Sequence, residues 1–195
     1  MKLFSLKPVT NSYDMVEWDM LSFAEKIQPI LPSNQDACMF LLDIHMNNDS
    51  LLAYWLEGYE LPFLPGYLKD NYDISIMDGF IALRMNAYEA LKDLLAPLGE
   101  FIETKADGEP IVIFNLRTFG LEDEAKCERE YLDGYPLDYI KIALINDDVK
   151  NKPVFKSKFT GGSRLYCTDK FKSAVEDNGL TGVYIDEDLD NIFSN

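Results

Sequence analysis

The chain has 195 residues, 47% of them apolar and 13% aromatic, which is enough to bury a core and too apolar for a disordered segment. Its 34 acidic and 18 basic residues give a net charge of −16 and an isoelectric point near 4.3. That balance repels phosphate and argues against nucleic-acid binding; it favours a basic protein partner and also serves plain solubility.

The charge is unevenly spread. Residues 1–149 hold 27 acids and 11 bases, whereas residues 150–195 hold seven of each. The expectation is a single domain, divisible into an acidic body (1–149) and a C-terminal unit (150–195). The three cysteines, Cys38, Cys127 and Cys167, form no CxxC pair, so no disulfide framework, metal site or cofactor is expected, and a reducing cytoplasm fits. The first residues carry no signal-peptide core. The longest apolar run, ACMFLL at 37–42, falls well short of the roughly 20 residues of a membrane span, so no membrane association is expected.

In chain order, residues 14–28 place Met15, Trp18, Leu21 and Ile27 on a helical stripe that Pro29 ends. ACMFLLDI at 37–44 reads as a short buried strand, NNDS at 47–50 as a turn and LLAYWL at 51–56 as a second strand, together a hairpin-like pair. Residues 58–73, with two prolines and two glycines, read as an ordered loop. Asn86 suits an N-cap, with Glu89 three residues on, for a helix that turns Tyr88, Leu91 and Leu95 inward and stops at Pro97. ADGEP at 106–110 reads as a tight turn before a strand at 111–118 with one face more buried than the other. LEDEAKCEREYLDG at 121–134 reads as a short helix or loop, and 138–146 and 153–159 as strands. Gly161-Gly162 turns the chain into a last strand-helix-strand unit, whose helix ends at Asn178-Gly179.

Residues 80–104 and 163–187 carry one pattern twice, at an offset of 83 residues. Each reads as strand, helix, glycine turn, strand. Tyr88 falls on Phe171, Gly99 on Gly182 and Phe101 on Tyr184, and each of these aromatic pairs is expected at equivalent buried positions. The fold class is α+β: a mostly antiparallel sheet with a few short helices, containing two related strand-helix-strand units.

Residues that carry chemistry are few. The one histidine, His45, follows Asp43 by two positions; on a strand the two share a face, which keeps open a small cytosolic hydrolase using Asp43 and His45. No serine or cysteine is placed by motif to complete a triad, and a structural role for the histidine is preferred. Asp186, Asp188 and Asp190 have the spacing that opens a calcium loop, but the sixth position is Asn191 and the twelfth falls beyond Asn195. The acidic segment 121–138 places Glu122, Asp123, Glu124, Glu128, Glu130, Asp133 and Asp138 beside Tyr131 and Tyr135, with Tyr139 next. Acids interleaved with tyrosines suit a surface for a basic partner. Glu122, Asp123, Glu124, Glu128, Tyr131 and Tyr135 are the candidate contact residues, against the alternative of a solvated loop anchored by its tyrosines.

Two stretches carry a family resemblance. Residues 73–124 show Asp73-Ile74, a strand, a helix with Ala87 and Leu91 on one face, Gly99-Glu100-Phe101, and an apolar strand containing Asn115. Residues 163–185 show a strand, a short helix, then Gly-Leu-Thr-Gly (179–182) before an aromatic strand. Together they resemble a family of immunity proteins from bacterial polymorphic toxin systems. The resemblance implies a non-enzymatic, cytoplasmic protein that binds and neutralises one cognate toxin domain; the chain's acidity suits a basic nuclease as that toxin. It supplies no catalytic residues and fixes no contact residues. An adaptor module for a cell-surface system is a further alternative.

Overall fold

The longest antiparallel pair is β5 (Gly99–Ala106) with β6 (Glu109–Leu116). Asp107 and Gly108 join them with φ of 47° and 82°, the left-handed pair that a two-residue hairpin of this twist requires. The computed structural model describes residues 1–9, 16–63, 72–77 and 79–191, with the side chains of 136, 138 and 139 excepted. Positions 111–116 are all buried, rather than one face alone. Val112, Phe114 and Leu116 enter one core, while Ile111 and Ile113 enter another. A sheet covered on both faces needs a continuous apolar run.

β4 (Phe80–Arg84), α3 (Met85–Leu95) and β5 form a β-α-β unit whose strands are separated by β6, which runs antiparallel to both. The five-stranded sheet has the order β2-β5-β6-β4-β3, where β2 is Glu60–Leu61 and β3 is Ile74–Met77. The four-stranded sheet repeats this plan. It runs β11-β1-β10-β9, with β1 at Leu3–Pro8, β9 at Val154–Lys156, β10 at Leu165–Thr168 and β11 at Val183–Asp186. α5 (Asp169–Asp177) connects β10 to β11, and β1, from the other end of the chain, takes the place that β6 holds in the first unit.

The register of the repeat is 84 residues rather than 83. In α3 the inward positions are Ala87 and Leu91; in α5 they are Phe171 and Val175. Phe171 thus stands where Ala87 does, and Tyr88 is only half-buried. The counterpart of Phe101 is Ile185 rather than Tyr184, and both Phe101 and Ile185 pack against the same core. The two glycines are not equivalent in the fold: Gly99 begins β5, whereas Gly182 precedes β11.

One core joins α3 and α5 to both sheets through Phe4, Leu83, Leu91, Phe114, Cys167 and Phe171. The other face of the five-stranded sheet takes α1 (Met20–Ile27) and α2 (Ala37–Asn47). α1 starts later than expected, capped by Asp19, whose carboxylate accepts from Ser22 N at 2.9 Å. Leu21 points outward, Trp18 precedes the helix, and Met15 lies outside the described residues.

Residues 37–47 are a helix and not a strand. Asp36 caps it, accepting from Met39 N at 2.9 Å, and Asn48 ends it at φ 57°. Ala37, Phe40, Leu41 and Ile44 face inward at helical spacing. Met39 and Leu42 fill the outer face and hide that period in the sequence. LLAYWL makes a 3-10 turn at Leu52–Tyr54, so the expected hairpin does not form. Of the loop expected at 58–73, residues 64–71 lie outside the described residues. Asn86 is not an N-cap: α3 begins one residue before it, and its side-chain amide bonds to Asp73 instead.

Residues 128–141, expected in part as a helix or loop, are a hairpin. β7 (Glu128–Leu132) pairs with β8 (Tyr135–Lys141) through Asp133-Gly134, at φ 51° and 83°. The strand expected at 138–146 therefore begins earlier and stops at Lys141, and α4 (Asn146–Val149) follows. Among the described residues no helix is long and apolar enough to cross a membrane.

Candidate interaction hairpin

The β7–β8 hairpin is a two-stranded sheet of its own, outside both larger sheets. A lone hairpin is marginally stable in water, so its base must be held. Arg129 does this: its guanidinium lies over the Phe159 ring at 4.4 Å and donates to the Phe159 carbonyl. Ala143 N donates to Cys127 Sγ at 3.3 Å, and Ile142 N to Asp190 Oδ1 at 2.7 Å. Ile142 is buried with Val149, Phe155 and Tyr166 in a third, smaller core.

Beyond this base the hairpin is open to solvent. Tyr131 is 63% exposed, Leu132 59%, Tyr135 74%, Leu137 54% and Ile140 56%. Leu132 lies opposite Tyr135, and the pairing register shifts twice along the ladder. Such bulges twist an edge away from indiscriminate strand addition, so the side chains rather than the edge are the feature on offer. Five large apolar side chains are therefore exposed on one short hairpin, with Leu132 and Tyr135 paired on one face and Tyr131 on the other.

The six candidate contact residues divide in two. Tyr131 and Tyr135 are at the exposed end. Glu124 is exposed, and Glu128 forms an ion pair with Lys141 at 3.6 Å near the base. Asp123 pairs with Lys126 at 2.6 Å and its carbonyl closes the turn ahead of β7. Glu122 turns inward: Oε1 accepts from Ser157 Oγ at 2.5 Å and from Phe159 N at 3.1 Å. It fixes the loop that carries Arg129's partner, so it supports the hairpin rather than facing a ligand. Glu130 and Asp133 are exposed on the hairpin itself. The side chains of Asp138 and Tyr139 lie outside the described residues. Sequence reasoning missed Leu132, Leu137 and Ile140; the Asp133-Gly134 dipeptide was the signal for the hairpin that exposes them.

Burial pushes the Cys127 thiol up, and Glu122, Asp123 and Glu124 push it the same way against a backbone hydrogen bond from Ala143. This cysteine keeps its proton at neutral pH, and its sulfur accepts a backbone hydrogen bond at the base of the hairpin.

Asp43 and His45 do not pair. Two positions on a helix diverge by roughly 200°, and α2 leaves Asp43 exposed while burying His45. The imidazole packs edge-on to Phe80 at 4.4 Å, and a Cβ at Gly79 would come within 2.8 Å of its Nδ1. Neither ring nitrogen has a hydrogen-bond partner among the described residues. Burial, then the charge of Lys156, lowers its pKa to about 4. Lys156 is itself fully buried and donates to the His45 carbonyl at 2.7 Å, which places a cation at the C-terminal end of α2. Asp186, Asp188 and Asp190 are likewise structural: Asp186 holds Lys7 at 2.5 Å, Asp188 caps the backbone of its own turn, and Asp190 holds Ile142.

No protein-family model matches the chain, and no curated protein matches it.

Proposed function

We propose that this protein is a non-enzymatic immunity protein that binds and neutralises a cognate bacterial toxin domain in the cytoplasm, with the β7–β8 hairpin as its docking element. The observation that carries this reading is the exposure of Tyr131, Leu132, Tyr135, Leu137 and Ile140 on a hairpin anchored from below. Exposed aromatic and aliphatic side chains on a fixed base are what an interface centre uses, because they bring large apolar area at little ordering cost. Glu130 and Asp133 are exposed on the same hairpin and Glu124 is exposed ahead of it, which suits a basic partner, and the net charge of −16 draws such a partner in.

The test is co-expression with whichever toxin domain is encoded beside this gene. Growth is rescued and the two proteins co-elute. The double variant Leu132→Ser/Tyr135→Ser keeps the parent's circular dichroism, because neither side chain is buried, and loses both rescue and co-elution. A double variant that still protects would remove the hairpin from the account. Failure of the parent protein to protect against any neighbouring toxin would remove the immunity reading itself.

A further inference from the structure

The β7–β8 hairpin is held on both of its strands, and the two holds lie at opposite edges of the four-stranded sheet. On the β7 side, Arg129 and Glu122 bind the segment 157–159 that follows β9. On the β8 side, Ile142 N donates to Asp190 in the turn that follows β11. β9 and β11 are the outer strands of the order β11-β1-β10-β9. Three strand intervals separate them, about 14 Å at the usual spacing, and β1 and β10 fill that space.

β11 belongs to the sheet through β1 alone, because among the described residues β1 is its only strand partner. The turn after β11 is tied to β1 as well. Lys7 Nζ meets Asp186 Oδ2 at 2.5 Å, Ser5 Oγ donates to the Asp188 carbonyl at 3.2 Å, and Lys2 Nζ lies 3.1 Å from Glu187 Oε1. Ser5 and Lys7 are buried, which protects their contacts from water; the Lys2–Glu187 pair is exposed and adds little. Within the turn, Asp186 Oδ1 accepts from Asp188 N at 3.0 Å, and Asp188 Oδ1 accepts from Asp190 N at 3.0 Å and Asn191 N at 3.3 Å. The aspartates whose spacing resembles the start of a calcium loop thus brace this turn. Leu3 of β1 and Leu189 of the turn pack against the same small core as Ile142. An unbroken run of contacts leads from Ser5 and Lys7 through Asp186, Asp188 and Asp190 to Ile142 at the hairpin's base.

We propose that the 186–191 turn makes the position of the hairpin depend on the seating of β1, with Ser5, Lys7 and Asp190 as positioning residues that set the hairpin although they lie outside it. The consequence for docking rests on the reading of the hairpin given above; the coupling itself does not.

The test is backbone amide hydrogen exchange of the full chain, followed by NMR, which needs no partner. The hairpin opens locally and at lower free energy than the central sheet, so a change in global stability alone leaves its exchange unaltered. Asp190→Ala should speed exchange at 129–132 and 137–141 roughly tenfold, as loss of one charge-assisted hydrogen bond does. Ser5→Ala and Lys7→Met, both in β1, should speed the same amides several-fold, and β5 and β6 should stay protected. Adding Ser5→Ala to Asp190→Ala should change the hairpin little further, because both act along one path. Where Lys7→Met fails to fold, Ser5→Ala, a loss of one oxygen, decides the matter. Hairpin exchange at the parent's rate in Ser5→Ala, a full additive effect in the double variant, or equal acceleration of hairpin and central sheet would each overturn the proposal and leave the docking role of the hairpin standing.

Discussion

The carboxylate of Asp73 accepts hydrogen bonds from the backbone nitrogen and the hydroxyl of Thr181, at 2.8 and 3.0 Å. Asp73 lies ahead of the first unit of the repeat, and Thr181 belongs to the second. Asp73 precedes β3 and also holds Asn86 in the first turn of α3; Thr181 lies in the turn before β11. Backbone bonds from Asp73 N and Ile74 N to the Thr181 carbonyl, at 3.2 and 3.0 Å, complete the junction. Gly182 sits so close that a Cβ there would come within 2.1 Å of the Ile74 carbonyl, and its φ of 97° suits glycine alone. The Asp-Ile and Gly-Leu-Thr-Gly motifs are thus two sides of one contact.

Breaking that contact has a graded cost. Asp73→Ala leaves Thr181 and Asn86 without their acceptor and should destabilise by about 1–3 kcal/mol; Thr181→Val removes one hydrogen bond and should cost about 1 kcal/mol. Combined, the two losses should be less than additive, because they remove the same interaction. Urea unfolding of the single and double variants measures this, and additive losses would mean the two residues act separately.

Glu100 holds the segment after α2 against the sheet. Its carboxylate accepts from Leu51 N at 2.6 Å, Leu52 N at 3.0 Å, Ser50 Oγ at 2.7 Å and Asn115 Nδ2 at 2.9 Å. Burial pushes this carboxyl up, but the hydrogen bonds outweigh it and leave it below its ordinary value of 4.5. A carboxylate held below its unfolded pKa contributes stability above that value and loses it as the pH falls through the folded one. Parent stability should therefore fall below about pH 4.5, and Glu100→Gln should flatten this decline while lowering stability at pH 7. Equal slopes in parent and variant between pH 5 and 3 would contradict it.

His45 and Lys156 make the opposite ends of the pH range informative. The folded His45 binds its proton only near pH 4, whereas an unfolded histidine binds one near 6.5. The unfolded state then holds more protons between these values, so stability should rise with pH across that window by up to about 1.4 kcal/mol per unit. Burial, with the charge of Arg117, lowers Lys156 to about 8 from 10.5, and stability should rise again over that interval. His45→Phe should remove the first rise and keep the ring contact with Phe80; Lys156→Met should remove the second. Urea midpoints measured from pH 4 to 10.5 decide both.

Much of the fold was readable because its signals are local. Asp107-Gly108, Gly161-Gly162 and Asn178-Gly179 lie where left-handed backbone turns the chain, and β4, α3 and β5 follow the spacing of their apolar residues. α2 was misread because Met39 and Leu42 make its outer face apolar too, so no helical period survives in the run. The β7–β8 hairpin was hidden by its charges, since Glu128, Arg129 and Glu130 break the alternation that marks a strand. Which acids face solvent was not legible at all. Glu122 turns inward because Ser157 and Phe159, far along the chain, meet its carboxylate. Asp43 and His45 part company because their backbone is helical rather than extended.

The most direct test of the proposed function is the dissociation rate of the protein from whichever toxin domain is encoded beside its gene, measured by surface plasmon resonance for the parent, Leu132→Ser/Tyr135→Ser and Glu130→Lys/Asp133→Lys. Interface anchors act on dissociation and peripheral charges on association. The serine pair should therefore dissociate roughly a hundredfold faster, consistent with the loss of about 2–3 kcal/mol at anchor positions. The lysine pair should associate several-fold more slowly, with a weaker dependence on salt. A serine variant that is folded and leaves the toxin no faster than the parent would contradict the claim that the hairpin is the docking element.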